Sequence, residues 1–407
     1  MRNKIFALLL ILALILGTGI FLLPQRRESS MENRVMVTNE DIFFDDDVLK
    51  DSEKVLKDQF YLRDHIIHDY YAARIFINKL TDKTLELPKD LIKKILHRED
   101  EKGDSYSIKD IPLTYLAEGA VELKDGYLVS DIPNYNEEEL NDAWARGVNV
   151  NDFDLAYPDI KTYVYFPTRI EELLNPDHDH EAECQNWFIS QLNPDITYSS
   201  MEINDLHDHE EYFFKSDLHW NAKGAYKAYC DIIDMINDDY DIGEPKAIKE
   251  EMVYPYSFYG NVANKLGSYG DTDQISDLVL EGINDFDLYV DGEEYDLYRD
   301  KEEYKENGNQ TIYSDYHVYF GENNFLRVFD FHDESKPNLL FFGDSYKNTN
   351  MMWIASHFNK TIIIDLRSRP DDFDLDRYIN EYDIDVALIS YHYYYAYFDG
   401  HMFIPLD

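Results

Sequence analysis

Gly343-Asp344-Ser345-Tyr346 directly follows the apolar run Leu339-Leu340-Phe341-Phe342 and precedes a stretch that reads as a helix. That places the Ser345 hydroxyl near a helix N-terminus, where backbone N–H groups and the helix dipole favour a developing oxyanion. A bare Gly-Asp-Ser is also a common turn with a helix N-cap, so the serine needs partners before it counts as a nucleophile. Far upstream, Asp217-Leu218-His219-Trp220 offers a histidine as base and a carboxylate to orient it. Two residues apart in an extended turn, Asp217 can sit against one imidazole nitrogen and leave the other facing a serine. Asn221 then caps a helix in which Ala225, Tyr229, Ile232 and Ile236 recur at helical spacing, so the Asp-His pair lies on a loop just before a rigid element. Taken alone, that motif reads equally well as a structural capping loop. Taken together, Ser345, His219 and Asp217 form a candidate triad for acyl transfer.

Such residues need a scaffold, and the last third of the chain has the pattern of one. Leu339-Leu340-Phe341-Phe342, Thr361-Ile362-Ile363-Ile364 and Val386-Ala387-Leu388-Ile389 are short, nearly unbroken apolar runs, as expected of parallel strands covered on both faces. In open parallel sheets ligands sit at the carboxyl ends of strands. That directs attention to Gly343-Asp344-Ser345, Asp365-Leu366-Arg367 and Tyr391-His392-Tyr393. An earlier strand-to-helix unit runs from Thr162 to Phe166, ends at Pro167, and leads into a helical Arg169 to Leu174. Gly126 to Val129 reads as a strand after the turn Lys124-Asp125-Gly126. Between Val48 and Leu80 apolar residues recur close to a helical period, and the acidic stretch from about Asp271 to Asn309 reads as an insertion or extended hairpin.

The composition excludes several classes of function. A net charge of −44 repels phosphate backbones and anionic headgroups, which argues against nucleic-acid binding and against a polybasic membrane contact. With 44% apolar and 15% aromatic residues in 407, the chain can bury a core. Cys184 and Cys230 allow one bridge and no disulfide framework. After Arg2 and Lys4, Ile5 to Leu23 carry no charge, and Arg26 and Arg27 close the run. That length crosses a bilayer core, and it extends past the small residues Gly17-Thr18-Gly19, which favours an uncleaved anchor over a signal peptide. The expected arrangement is a single pass through the cell membrane, with residues 28 to 407 outside the cytoplasm.

The ordered combination of Asp217-Leu218-His219-Trp220-Asn221, Gly224-Ala225 and a later Gly343-Asp344-Ser345-Tyr346 resembles the DHHW protein family. That family is related to the AlgX and AlgJ alginate O-acetyltransferases of the SGNH hydrolase superfamily. Glu32-Asn33-Arg34, Asp58-Gln59-Phe60 and Arg63-Asp64 add to the likeness. The resemblance implies an α/β fold: a three-layer α/β/α SGNH hydrolase-like domain with a parallel sheet. With the segment readings it divides the chain into an anchor over 1–28, a juxtamembrane spacer and helical segment over 29–103, and the hydrolase-like domain over 104–407. It implies Ser345 as nucleophile, His219 as general base and acid, Asp217 as the group orienting His219, and no cofactor or metal. Leu218 stands where the family name has its first histidine, and Ser390-Tyr391-His392-Tyr393 has no asparagine for an oxyanion hole. Substrate or oxyanion contacts are then expected from Gly343, Asp344, Tyr346, Trp220, Arg367, Tyr391 and His392, with Trp220 the better sugar-stacking candidate and Tyr391 to Tyr397 reading equally as an aromatic wall or as core and sheet packing.

The implied partners are a cell-surface polysaccharide and an acyl donor, the latter delivered by a membrane acyltransferase. Transferase and esterase chemistry share one acyl-enzyme and differ in whether a sugar hydroxyl or water accepts the acyl group. The alternative is a non-catalytic surface protein that keeps the fold, binds glycan or assists exopolysaccharide assembly. His178-Asp179-His180-Glu181 and His207-Asp208-His209-Glu210 contain metal-ligand types, but both read as polar loops without paired spacing on a helix.

Overall fold

The computed structural model describes residues 111–116, 120–130, 137–168, 185–267, 269–283, 285–297, 324–370, 372–392 and 403–406. It adds isolated pieces at 28–29, 34–35, 55, 59 and 107–108. The apolar run at 5–23, most of the stretch at 48–80 read as a helix, the helix expected at 169–174 and Cys184 lie outside these residues. Among the described residues no helix is long and apolar enough to cross a membrane.

In chain order, β1 (Glu28–Ser29) pairs with β2 (Arg34–Val35), and β3 (Ser107–Ile108), β4 (Ile111–Tyr115), β5 (Val121–Leu123) and β6 (Leu128–Val129) form an antiparallel sheet. The turn expected at Lys124-Asp125-Gly126 is present, with Gly126 at a φ of 81°. There follow α1 (Glu137–Ala156), β7 (Lys161–Phe166), β8 (Thr197–Ser200), α2 (Leu206–Tyr212), α3 (Ala222–Asn237), β9 (Ile248–Phe258), α4 (Asn261–Lys265) and β10 (Asp273–Leu280). The chain continues through β11 (Asp287–Val290), β12 (Glu293–Glu294), β13 (Leu326–Asp330), β14 (Leu339–Gly343), α5 (Lys347–Ala355), β15 (Lys360–Ile364), α6 (Leu375–Tyr382) and β16 (Val386–Ser390).

The large sheet has eight strands in the order β12-β11-β13-β15-β14-β16-β7-β8. The three late apolar runs are its centre: β14 pairs in parallel with β15 on one side and β16 on the other, and β16 continues in parallel to β7 and β8. Side chains alternate across such strands. Leu339 and Phe341, with Ile363 and Leu388, enter one core with Tyr229 and Ile233 of α3 and Trp353 of α5. Leu340 and Phe342, with Ile362, Ile364 and Ile389, enter the other with Val150 and Phe153 of α1 and Leu375 of α6. Helices therefore cover both faces, the three-layer arrangement expected. Each fully buried large apolar chain stabilises the fold by roughly 1.5–3 kcal/mol.

The acidic stretch from Asp271, read as an insertion or extended hairpin, takes antiparallel hairpin form over its described strands. Its strands are structural: β10 pairs with β9, and β11 extends the main sheet antiparallel to β13. Alternation is what the reading missed, since Leu288 is buried while Asp287 and Tyr289 face outward. His207-Asp208-His209-Glu210 is no loop but the body of α2, with Asp205 capping its first turn through His207 N and Asp208 N. His209 is buried and stacks on Phe213 at 4.9 Å.

Candidate active site

The carboxyl end of β14 carries the serine. Gly343 pairs with Ser390 at the last rung of the ladder, after which the chain turns into α5 through Lys347 N to Asp344 O at 3.2 Å and Asn348 N to Ser345 O at 3.1 Å. The fully buried Asp344 side chain does not face a substrate. Its Oδ1 accepts Tyr346 N at 2.9 Å, and its Oδ2 accepts His392 N at 2.7 Å and lies 3.1 Å from His392 Nδ1. One carboxylate thus ties the turn to the neighbouring strand end. Burial pushes this carboxyl up, but the His392 ring and the hydrogen bonds outweigh it, and it is held below the usual range. Gly343 is closely enclosed: a Cβ there would lie 2.9 Å from Lys347 Cδ, so the lysine stem would have to shift.

The histidine comes from a loop off the sheet, between α2 and α3. Phe214 N to His219 O at 3.2 Å and Asn221 N to Tyr212 O at 2.9 Å close the loop, and Asn221 Oδ1 accepts Lys223 N and Gly224 N as the cap of α3. Asp217 Oδ1 accepts His219 N at 2.9 Å and stands 2.6 Å from His219 Nδ1, while Oδ2 accepts Asn261 N at 2.7 Å. Burial raises this carboxyl, and the His219 ring with these hydrogen bonds reverses the shift, so Asp217 is ionised well below neutral pH. The neighbouring Ser216 is the second anchor. Its Oγ accepts Gly260 N at 2.8 Å and donates to Asp273 Oδ2 at 2.5 Å, and Asp273 also takes Lys215 N and Ser216 N at 2.7 Å each. Burial lifts Asp273 to about 6 against those hydrogen bonds. Gly260 has no room for a side chain, since a Cβ would fall 2.4 Å from Asp217 Cβ.

The two elements meet at His219 Nε2 and Ser345 Oγ, 2.8 Å apart. Because an ionised carboxylate only accepts, the Asp217 contact assigns the proton to Nδ1 and leaves Nε2 free to accept from the serine hydroxyl. Ser345, His219 and Asp217 are all buried. The arrangement can deprotonate Ser345 as it attacks a carbonyl and return that proton to a leaving oxygen.

The other expected contacts divide. Tyr346 lies at the centre: its Oη donates to Leu218 O at 2.5 Å, and its ring packs on those of His219 at 4.9 Å and His392 at 5.3 Å. Trp220 is 1% exposed and sits edge-on to Tyr346 in the core, so its face is closed to a sugar. Arg367 binds Asp365 through Nε at 2.8 Å and Nη2 at 2.6 Å. Tyr391 turns to the opposite face of the sheet from His392 and the Tyr346 ring it stacks on, and lies among Val164, Phe166 and Ile389, because consecutive residues of an extended strand end point to opposite sides. Residues 393–397 of the aromatic run lie outside the described residues. The sequence reading missed Lys347, buried beneath the serine turn with Asp365 3.2 Å from its Nζ, and missed Ser216, Gly260 and Asp273 behind Asp217.

No protein-family model and no curated protein matches the sequence. Solved structures do. Bacillus cereus PatB1 with a sulfonyl adduct is 19% identical with a TM-score of 0.57, covering 69% of this chain and 96% of that one. A DHHW family protein from Eubacterium siraeum is 15% identical with a TM-score of 0.52, covering 70% and 95%. The O-acetyltransferase domain of Pseudomonas putida AlgJ is 12% identical over 70% and 96%, at a TM-score of 0.38 that is too low to carry an argument. The chain shares its fold with PatB1 and the DHHW family protein.

Proposed function

We propose that this chain is an SGNH hydrolase-like serine enzyme that moves an acyl group to or from a cell-surface polysaccharide. The observation carrying the reading is the continuous path Asp217 Oδ1, His219 Nδ1, His219 Nε2, Ser345 Oγ, with contacts of 2.6 and 2.8 Å inside a buried site. Ser345 Oγ attacks the ester carbonyl and its proton passes to His219 Nε2. The carbonyl electron pair moves onto oxygen, then re-forms the double bond as the alkoxide leaves with the His219 proton. A sugar hydroxyl or water then attacks the acyl-serine by the same steps in reverse.

The DHHW resemblance and the shared fold support the assignment of acyl chemistry, and the sulfonyl adduct on PatB1 is of the kind an activated hydroxyl accepts. The polysaccharide partner follows from the same resemblance, and a net charge of −44 is unsuited to nucleic acid. The proposed layout is an anchor at 1–28 crossing the cell membrane, a spacer at 29–103 and an extracytoplasmic domain at 104–407, where a membrane acyltransferase supplies the donor. Incubating the full chain with an acetyl ester should give a protein acetylated on Ser345 by mass spectrometry, and Ser345→Ala should lower turnover by about 10⁴-fold or more. Undiminished turnover by a well-folded Ser345→Ala protein would sink the serine mechanism and leave a glycan-binding role.

A further inference from the structure

The Lys347 ammonium is enclosed by protein, with a side chain 1% exposed. An ion pair with Asp365 Oδ2 at 3.2 Å neutralises it only in part, because that carboxylate is shared. Asp365 already holds the Arg367 guanidinium through two nitrogens, and Asp344 is satisfied by His392 and Tyr346 N. The remaining contact of Lys347 Nζ is the Asp344 carbonyl oxygen at 3.1 Å, which Lys347 N also approaches at 3.2 Å. That carbonyl belongs to the peptide bond whose nitrogen is Ser345 N. A trans peptide is planar, so fixing its oxygen fixes the N–H in the opposite direction. Among the described residues, none of the protein hydrogen bonds is donated by Ser345 N–H. A cation on the carbonyl oxygen also polarises the peptide and strengthens its N–H as a donor.

We propose that Lys347 is a positioning residue for acyl transfer, holding the Asp344–Ser345 peptide so that Ser345 N–H donates to the oxyanion of the tetrahedral intermediate. The inference rests on the serine-enzyme reading above, and it fills the role left open by the missing asparagine. Lys347 itself transfers no proton. The charged groups facing it are Asp365 and Arg367 beyond β15, Arg327 of β13 and Asp344 of its own turn. Burial pulls the lysine down, Asp365 partly restores it, and it ends at about 8. The ammonium is therefore present at neutral pH and lost as pH rises through that value.

The test uses the full chain hydrolysing p-nitrophenyl acetate, with end-point sulfonylation of Ser345 by phenylmethylsulfonyl fluoride as a control for the nucleophile. Lys347→Met should lower kcat by about 10- to 100-fold with KM changed less than about twofold, because the lost interaction forms only in the transition state. Wild-type kcat should fall as pH rises through about 8. Lys347→Arg, which keeps a cation that does not titrate, should hold its rate through that range. A folded Lys347→Met protein with wild-type kcat and pH profile overturns the proposal. If that variant fails to fold, a wild-type kcat that is flat from about pH 7 to about pH 9.5 overturns it instead. Active wild-type protein that is never sulfonylated on Ser345 would fault the serine mechanism itself, a result separable from any outcome at Lys347.

Discussion

The turn that carries the serine and the loop that carries the histidine reach the same precision by different means. The serine turn grows from β14 at the centre of a parallel sheet, flanked by β15 and β16 along its length, and one carboxylate, Asp344, completes its attachment. The histidine loop leaves the sheet altogether. It is held by Asp217 on Asn261 N, by Ser216 on Gly260 N, and by Asp273 beneath both Lys215 and Ser216. A turn borne on a strand inherits rigidity from the ladder, whereas a free loop needs a chain of side-chain ties and a glycine packed against them. The ties also differ in charge. Asp344 is pushed down and stays ionised, while Asp273 is pushed up to about 6 and titrates in the working range.

Removing the deepest tie of the histidine loop breaks the comparison hardest. Asp217→Asn should cost about 10²- to 10⁴-fold in kcat, since an amide presents a donor to His219 Nδ1 and favours the wrong tautomer, while circular dichroism stays unchanged. On the serine side, Asp344→Asn leaves an oxygen for only part of the three-contact set and turns an NH₂ toward His392. A destabilisation of roughly 1–3 kcal/mol in urea unfolding should accompany a smaller loss of kcat. Asp273→Asn sharpens the contrast through pH. A carboxyl raised in the folded state contributes stability below its unfolded value, near 3.8, and loses it as pH climbs through about 6. Wild type should therefore weaken relative to Asp273→Asn by up to roughly 3 kcal/mol between about pH 4 and about pH 7. Equal unfolding differences at both ends would show that Asp273 does not titrate with folding.

The same contrast explains what could be read from sequence. The serine turn was legible because β14, β15 and β16 are apolar on both faces and announce themselves as runs, and because parallel strands direct attention to their carboxyl ends. Asp217, His219 and the Asn221 cap were legible because they act within a few residues of one another. Ser216, Gly260 and Asp273 were not, since their partners lie 44 to 58 positions apart and each residue resembles an ordinary turn former. Lys347 reads as a solvated residue in the first turn of a helix. Only the packing of α5 over Gly343 reveals that its stem has no route to water. Trp220 is misread for the opposite reason: a large aromatic beside a reactive residue suggests substrate contact, yet the core claims it, and of the two readings of Tyr391 it is core packing that holds.

Tyr346 bridges the two loops directly. It follows the serine in the chain, yet its hydroxyl is bonded to Leu218 O, the residue before the histidine. If α3 and the sheet shift against each other, this strut makes the two loops travel together. In engineering terms the transplantable unit is no linear motif. It is three non-contiguous pieces, Asp217 to Trp220, Gly260 to Asn261 and Gly343 to Lys347: the first and third hold the two ends of the strut, and the second supplies the N–H that holds Asp217.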